Sequence, residues 1–177
     1  KGSSTEHLEL RQAFLLTNSA WLSIALFGSL PFFFSEINMS FVDSIFESTS
    51  GITTTGATVI LNLENTSHGI LMWRALLQWL GGVGIIVMAL AILPMLSIGG
   101  MQLFKTESYE TPEKVVPKAA SFAAGISIVY LTLTIIWAFM LWGAGMPVFD
   151  SIAHAMTTIS TGGYSTKSLS LAAFNSY

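Results

Sequence analysis

The sequence predicts an all-α membrane protein built from repeated units, each with a membrane span, a short re-entrant helix, a loop and a second span. Three observations lead to this fold class. Hydrophobic residues make up 52% of the 177 residues and charged residues only 10%, far below the roughly 25% of a soluble domain. The few charges leave three long uncharged windows, and the chain resembles itself at an offset of 107 positions.

The uncharged windows are predicted to cross the membrane, because each is near or above the ~20 apolar residues that span a ~30 Å hydrocarbon core. Pro31 is expected to mark the end of the first span. The glycines Gly81, Gly82 and Gly84 in the second are interpreted as close-packing positions rather than as a hinge. We predict the spans over residues 13–34, 76–95 and 119–142.

The basic residues indicate the orientation, because short cytoplasmic loops are enriched in Lys and Arg. Basic residues precede the first span and lie between the second and third. Residues 35–69 contain none, and the segment after the third span contains only Lys167, so both segments should face outside. Residues 35–69 are also rich in apolar residues, which predicts an element that re-enters the membrane beside a watery cavity.

The internal repeat supports that prediction. Roughly seven of about twenty aligned positions are identical, a degree of self-similarity typical of a repeated structural unit. Each copy is expected to start a short helix, at Asp43 in the first and at Pro147 and Asp150 in the second. The identical pairs are Met39 and Met146, Asp43 and Asp150, Ser44 and Ser151, Ile45 and Ile152, Ile52 and Ile159, Thr54 and Thr161, and Gly56 and Gly163.

Each predicted re-entrant helix is followed by a polar, uncharged loop, TTTGAT at 53–58 and STGGYS at 160–165. Glycines permit positive φ, so such a loop can aim successive carbonyls inward. Rings of carbonyl oxygens at the C-terminal end of a short helix replace the hydration shell of a monovalent cation. A single loop of this kind is also common in ordinary turns. Two loops at equivalent places in a repeat indicate a selectivity filter, and potassium is the ion that we expect it to bind.

At these residues the chain resembles the TrkH/KtrB superfamily of potassium transporters. The similar stretches are FESTSGITTTGAT at 46–58, WRALLQWLGG at 73–82, GGMQLF at 99–104 and STGGYS at 160–165, and the first three resemble the TrkH branch. The resemblance implies four repeats around a pore that takes up potassium. Aligned with the potassium-channel pattern T-V-G-Y-G, the carbonyls that bind K⁺ are those of Thr54, Thr55, Gly56, Ala57, Thr161, Gly162, Gly163 and Tyr164.

The resemblance also implies how the chain is organised and what it works with. Residues 1–12 form a cytoplasmic segment, 13–98 the first repeat, 99–118 a cytoplasmic connector and 119–177 a second repeat without its last span, so we expect a fragment or a partial chain. It implies a homodimer in the cytoplasmic (inner) membrane with filter loops entering from outside. Partners are lipid and nucleotide-binding regulatory subunits, not nucleic acid. There is no cofactor, and potassium is the transported ligand.

Three polar residues near the predicted filter have two interpretations each. Arg74 either pairs with Glu47 or Asp43 or extends to the lipid headgroups. Glu47 either concentrates cations or, as we favour, supports the back of the filter. His154, at the position equivalent to Glu47, is interpreted as a satisfied buried side chain rather than a proton relay.

Two other functional classes compete with a filter. An intramembrane serine protease would use Ser50 as nucleophile and His154 as base, but the sequence before Ser50 lacks the expected glycine and the repeat would be unexplained. We therefore expect no enzyme. A carrier with broken helices and a midplane site, moving another cation or a small solute, is also compatible with the glycine breaks.

Overall fold

The computed structural model of the protein describes residues 10–96 and 115–174. These residues form six α-helices: α1 (Leu10–Gly28), α2 (Leu30–Phe33), α3 (Phe41–Ile52), α4 (His68–Leu96), α5 (Val115–Gly143) and α6 (Val148–Ile159). Single 3-10 turns lie at Leu63–Asn65 and Ser170–Ala173. No strand occurs in these two stretches, and the predicted all-α fold is confirmed.

Three helical segments are long and apolar enough to cross a membrane. They are Phe14–Phe33, His68–Met88 and Ala123–Gly143, each overlapping one predicted span. The second begins eight residues before the predicted start at 76 and contains Arg74, so its helix extends beyond the uncharged window. The outer faces of the three segments carry large apolar side chains such as Phe27 and Ile128, which are 72% and 66% exposed. Apolar surface of this extent is covered by lipid or protein in a stable molecule, as expected of membrane spans.

The end of the first span and the start of the third helix also differ from the prediction. Pro31 does not end the first span: it lies in the first turn of α2, which continues the span to Phe33. Proline is tolerated there because a first-turn N–H has no partner within the helix. The third helix begins at Val115, inside the predicted connector. Residues 99–114 of that connector, including the 99–104 stretch, lie outside the described residues, as do residues 1–9, 97–98 and 175–177.

Helices α3 and α6 are the predicted re-entrant helices. Each has 12 residues, too few to cross the hydrocarbon core. The first is capped by Ser40, whose hydroxyl accepts from the Asp43 N–H at 3.1 Å and donates to Asp43 Oδ2 at 2.7 Å. The second follows Pro147 and has Asp150 in its first turn, so both helices begin where the sequence predicts.

Helix α4 packs against α3 on one side and against α6 and α5 on the other. Its glycines allow this close packing: a Cβ on Gly81 would overlap the Ile52 carbonyl of α3, and one on Gly82 would contact Ser160 after α6. The close-packing interpretation is therefore correct for Gly81 and Gly82, whereas a Cβ on Gly84 would make only ordinary contact with Trp21. The helix that closes the first repeat thus lies between the two re-entrant helices and contacts the loops that follow both.

Candidate filter site

The two Thr/Gly loops have the same backbone conformation. Thr54 and Thr161 both adopt positive φ, 57° and 58°, and Gly56 and Gly163 adopt 81° and 78°. L-residues rarely enter this left-handed region, and β-branched ones least of all. Four matching positive-φ residues at an offset of 107 show that the sequence repeat is a repeat of backbone structure.

The same hydrogen bonds hold both loops on their helices. Thr55 N–H and Gly56 N–H donate to the Ser50 carbonyl at 2.9 and 3.4 Å, while Gly162 N–H and Gly163 N–H donate to the Thr157 carbonyl at 2.9 and 3.3 Å. In a trans peptide the C=O points opposite to the N–H that it shares a plane with. The carbonyls of the preceding residues therefore point away from the helix ends; they belong to Thr54, Thr55, Thr161 and Gly162.

The two loops lie against each other. A Cβ placed on Gly56 would overlap the carbonyl oxygen of Gly162, so this position excludes a side chain by space as well as by φ. Gly163 has the same φ but nothing within 4 Å of such a Cβ. The key glycines of the two loops are thus equivalent in conformation and different in surroundings.

Most of the predicted ion-binding carbonyls are free of hydrogen bonds from the described residues. Ala57 differs: its carbonyl accepts from the Ser50 hydroxyl at 2.6 Å and from the Tyr164 hydroxyl at 3.2 Å. Two donors use both lone pairs of a carbonyl oxygen. The free carbonyls are those of Thr54, Thr55, Gly56, Thr161, Gly162, Gly163 and Tyr164.

Glu47 and Arg74 form a buried ion pair behind the loops. Arg74 Nε donates to Glu47 Oε1 at 2.7 Å, and the two side chains are 1% and 0% exposed. The Thr58 hydroxyl and the Val59 N–H also donate to the Glu47 carboxylate, at 2.9 and 3.0 Å. Arg74 thus pairs with Glu47 and not with Asp43, and its guanidinium lies inside the protein rather than among headgroups.

Tyr164 connects the second loop to the first repeat. The single proton of its hydroxyl is shared between the Glu47 carbonyl at 2.9 Å and the Ala57 carbonyl at 3.2 Å, and the residue is 3% exposed. The Arg74 guanidinium lies 4.0 Å above its ring, a cation–π geometry. The side chain is therefore part of the packing between the repeats, which leaves only its main-chain carbonyl for a ligand.

The equivalent of the Glu47–Thr58 contact in the second repeat is made by His154. Its Nε2 lies 3.0 Å from the Ser165 hydroxyl and its Nδ1 lies 2.8 Å from the Asp150 carbonyl. Both ring nitrogens are occupied, in keeping with a satisfied buried histidine. Because the Ser50 hydroxyl donates to Ala57, Ser50 and His154 are not arranged as nucleophile and base.

Sequence reasoning missed Gln78, which contacts both loops. Its Oε1 accepts from the Tyr164 N–H at 3.0 Å, and the side chain is fully buried. The signal was available, because a polar residue inside an apolar span is by default a functional candidate. The same argument singles out Arg74, one helical turn away.

Comparison with known proteins gives consistent results. The TrkH family model, described as a cation transport protein, matches residues 2–177. The chain is 45% identical over 172 residues to the Trk system potassium uptake protein TrkH of Salmonella typhimurium, covering 96% of this chain and 36% of that protein. It is 42% identical over 163 residues to the Trk system potassium uptake protein TrkI of Halomonas elongata, with coverages of 92% and 33%.

A solved structure is also similar. The crystal structure of the potassium transporter TrkH from Vibrio parahaemolyticus matches with a TM-score of 0.82 and 40% identity, covering all of this chain and 35% of that one. The chain thus spans about a third of the length of the relatives that it matches.

Proposed function

Because this chain belongs to the TrkH family of cation transport proteins, we propose that it is part of a transporter that takes up potassium. In this proposal the loops 53–58 and 160–165 supply part of the filter, and dehydrated ions bind to their main-chain carbonyl oxygens. No covalent chemistry is required, and potassium is the transported ligand rather than a cofactor.

The observation that carries the proposal is the shared backbone of the two loops. Thr54 and Thr161, and Gly56 and Gly163, repeat the same unusual φ values, and equivalent N–H groups bond back to the helix ends. Positive φ at a β-branched residue costs on the order of 1–3 kcal/mol. A strained conformation present twice, and directing carbonyls away from the ends of both re-entrant helices, favours a ligand-binding function over two ordinary turns.

The chemistry of the site also favours a weakly bound monovalent cation. The parts of the chain with described side chains hold no group of three or more His, Asp or Glu residues able to bind a metal ion. The Glu47 carboxylate is fully buried and occupied by Arg74, Thr58 and Val59. The loops follow the C-terminal ends of α3 and α6, whose dipoles add negative potential there. Neutral carbonyls with this potential suit a conducted ion.

We assign ion binding to the free carbonyls of Thr54, Thr55, Gly56, Thr161, Gly162, Gly163 and Tyr164. Ala57, which the filter pattern also includes, has a carbonyl with two hydrogen-bond donors, so we give it a role in holding the loop. Glu47 and Arg74 support the loops from behind.

The wider assembly is proposed from the family resemblance, and its orientation also from the distribution of basic residues. We propose a homodimer in the cytoplasmic membrane, with the filter loops entering from the outer side and nucleotide-binding regulatory subunits on the cytoplasmic side. The low count of basic residues in 35–69 and after α5 supports this orientation.

The test is rubidium uptake by the full-length protein in cells deficient in potassium transport, comparing the parent with Gly163→Asp at matched membrane abundance. An aspartate at φ 78° strains the loop and adds an anionic group to it. Gly69→Asp is the matched control, since Gly69 also has open space around it but lies at the start of α4 without positive φ.

We expect Gly163→Asp to abolish uptake or its discrimination against sodium, and Gly69→Asp to transport like the parent. Equal transport by the parent and Gly163→Asp would contradict the filter. Saturable uptake of an organic solute would instead favour a carrier with broken helices.

A further inference from the structure

Gln78 lies at the point where the two loops meet. Its side chain has no exposed surface. A Cβ on Gly162 would overlap its amide, and a Cβ on Gly56 would lie 3.6 Å from its Nε2. One side chain of the first repeat therefore fills the space beside both glycines and sets how closely the loops approach.

The hydrogen bond from Tyr164 N–H to Gln78 Oε1 orients a filter carbonyl. That N–H shares a trans peptide with the Gly163 C=O, so the carbonyl points away from Gln78. In the first loop, the equivalent N–H of Ala57 receives no such partner from the described residues. Gln78 thus fixes the peptide between Gly163 and Tyr164 in the second loop. The equivalent peptide of the first loop, between Gly56 and Ala57, is not fixed by a side chain among the described residues.

Helix α4 also binds the loop at a second peptide, the one between Ser165 and Thr166. Arg74, one turn before Gln78, donates from Nη1 to the Ser165 carbonyl at 2.9 Å. Two residues at i and i+4 lie on the same face of a helix, and here that face contacts consecutive residues of the loop. The loop of the second repeat is therefore positioned by a helix of the first.

The other end of the Gln78 amide has no hydrogen-bond partner among the described residues. Burying a polar group without a partner destabilises a protein, and an apolar residue of similar volume would avoid that cost. The amide is better explained by its acceptor than by packing, since Tyr164 N–H would otherwise be the buried group without a partner.

We propose that Gln78 is a specificity-determining positioning residue, which fixes the Gly163 carbonyl and the spacing of the two loops and thereby the preference for potassium over sodium. The proposal rests on the proposed function, and it acts through the loop rather than by contact with the ion.

The experiment measures rubidium and sodium uptake by the full-length transporter in cells deficient in potassium transport, normalised to membrane abundance. Gln78→Leu removes the acceptor at similar volume, and Gln78→Glu retains it. We expect Gln78→Leu to lower rubidium-over-sodium discrimination about tenfold, the factor that corresponds to one hydrogen bond. We expect Gln78→Glu to restore most of it.

Thr132→Val is the control, because the Thr132 hydroxyl is exposed and bonds only within its own helix. It should leave discrimination unchanged. A change in this ratio, with rescue by the isosteric acceptor, is a readout that a loss of folding alone would not produce.

Unchanged discrimination in Gln78→Leu, together with loss of uptake in Gly163→Asp, would overturn the role of Gln78 and leave the filter intact. Normal transport by both variants would overturn the filter itself. A third outcome is that Gln78→Leu and the more flexible Gln78→Met both fail to accumulate in the membrane, whereas Gln78→Glu accumulates normally. In that case Gln78 acts in folding and the proposal is wrong.

Discussion

Arg74 and Glu47 form an ion pair, 2.7 Å between Nε and Oε1, that is sealed from solvent behind both loops. Removing one partner of a buried pair leaves an uncompensated charge, which costs about 3–5 kcal/mol. We expect Arg74→Met to destabilise the full-length protein by that amount, because the Glu47 carboxylate would keep only neutral donors. Thermal unfolding in detergent measures this.

The control for that change is Arg11→Met, since Arg11 is exposed on α1. The double variant Glu47→Gln/Arg74→Met should be more stable than Arg74→Met alone, because it leaves no unpaired charge. Additive losses from the two single substitutions would show that the pair contributes no coupling energy.

Gly56 and Gly163 should differ in their tolerance of alanine. Both have φ near 80°, where a Cβ costs roughly 1–2 kcal/mol, but only at Gly56 would that Cβ overlap a backbone carbonyl. We expect Gly163→Ala to reduce rubidium uptake moderately and Gly56→Ala to abolish it.

Gly125→Ala is the matched control for both glycines. Gly125 lies in helix α5 with nothing near its Cβ position and no positive φ, so alanine should stabilise the helix by about 0.5–1 kcal/mol. Equal uptake by Gly56→Ala and Gly163→Ala would contradict the close approach of the two loops.

The Tyr164 hydroxyl holds two carbonyls of the first repeat, those of Glu47 and Ala57. Tyr164→Phe keeps the ring beneath Arg74 and removes these bonds, so we expect a loss of about 1 kcal/mol in unfolding free energy. It should also leave the Ala57 carbonyl with one donor, the Ser50 hydroxyl. Unfolding measurements beside a Thr132→Val control, in which the lost hydroxyl bonds only within its own helix, would separate stability from ion selectivity. Selectivity should change in Tyr164→Phe alone.

The helices and the loop repeat were predictable from sequence because they depend on local features. Long uncharged windows identify spans, and the offset of 107 placed α3 and α6 residue for residue. The prediction that Pro31 ends the first span is wrong. Proline can end a helix or lie in its first turn, and here the helix breaks after Gly28, so Pro31 lies in the first turn of α2.

The side-chain network behind the loops was only partly predictable. Glu47 and Asp43 lie one turn apart on α3, so the sequence offered both as partners for Arg74. The structure uses Asp43 with the cap residue Ser40 and leaves Glu47 for Arg74. Gln78 meets Tyr164 across 86 positions of sequence, and such a contact follows from helix packing that periodicity alone does not specify.

A further link between the repeats lies in the segments that follow the two loops, and it depends on pH. Ser168 donates to the Glu64 carboxylate from its N–H at 2.8 Å and from its hydroxyl at 2.7 Å. These hydrogen bonds, the side-chain one first, hold the pKa of Glu64 below its ordinary value of 4.5. A carboxyl with a lowered pKa stabilises the folded state fully above its unfolded pKa, and that contribution is lost as the pH falls through the folded pKa.

We therefore expect Glu64→Gln to lower the unfolding temperature slightly at neutral pH. The difference from the parent should shrink as the pH falls below 4.5 and disappear once the pH is below the lowered pKa of the folded Glu64 carboxyl. Unfolding scans between neutral and acid pH test this, with Glu36→Gln as the control because the Glu36 carboxylate receives no hydrogen bond from the described residues. If the unfolding temperatures of the parent and Glu64→Gln still differed by the same amount at acid pH, the ionised form of Glu64 would not be needed for its contact with Ser168. In that case the contact between residues 64 and 168 would survive protonation of Glu64.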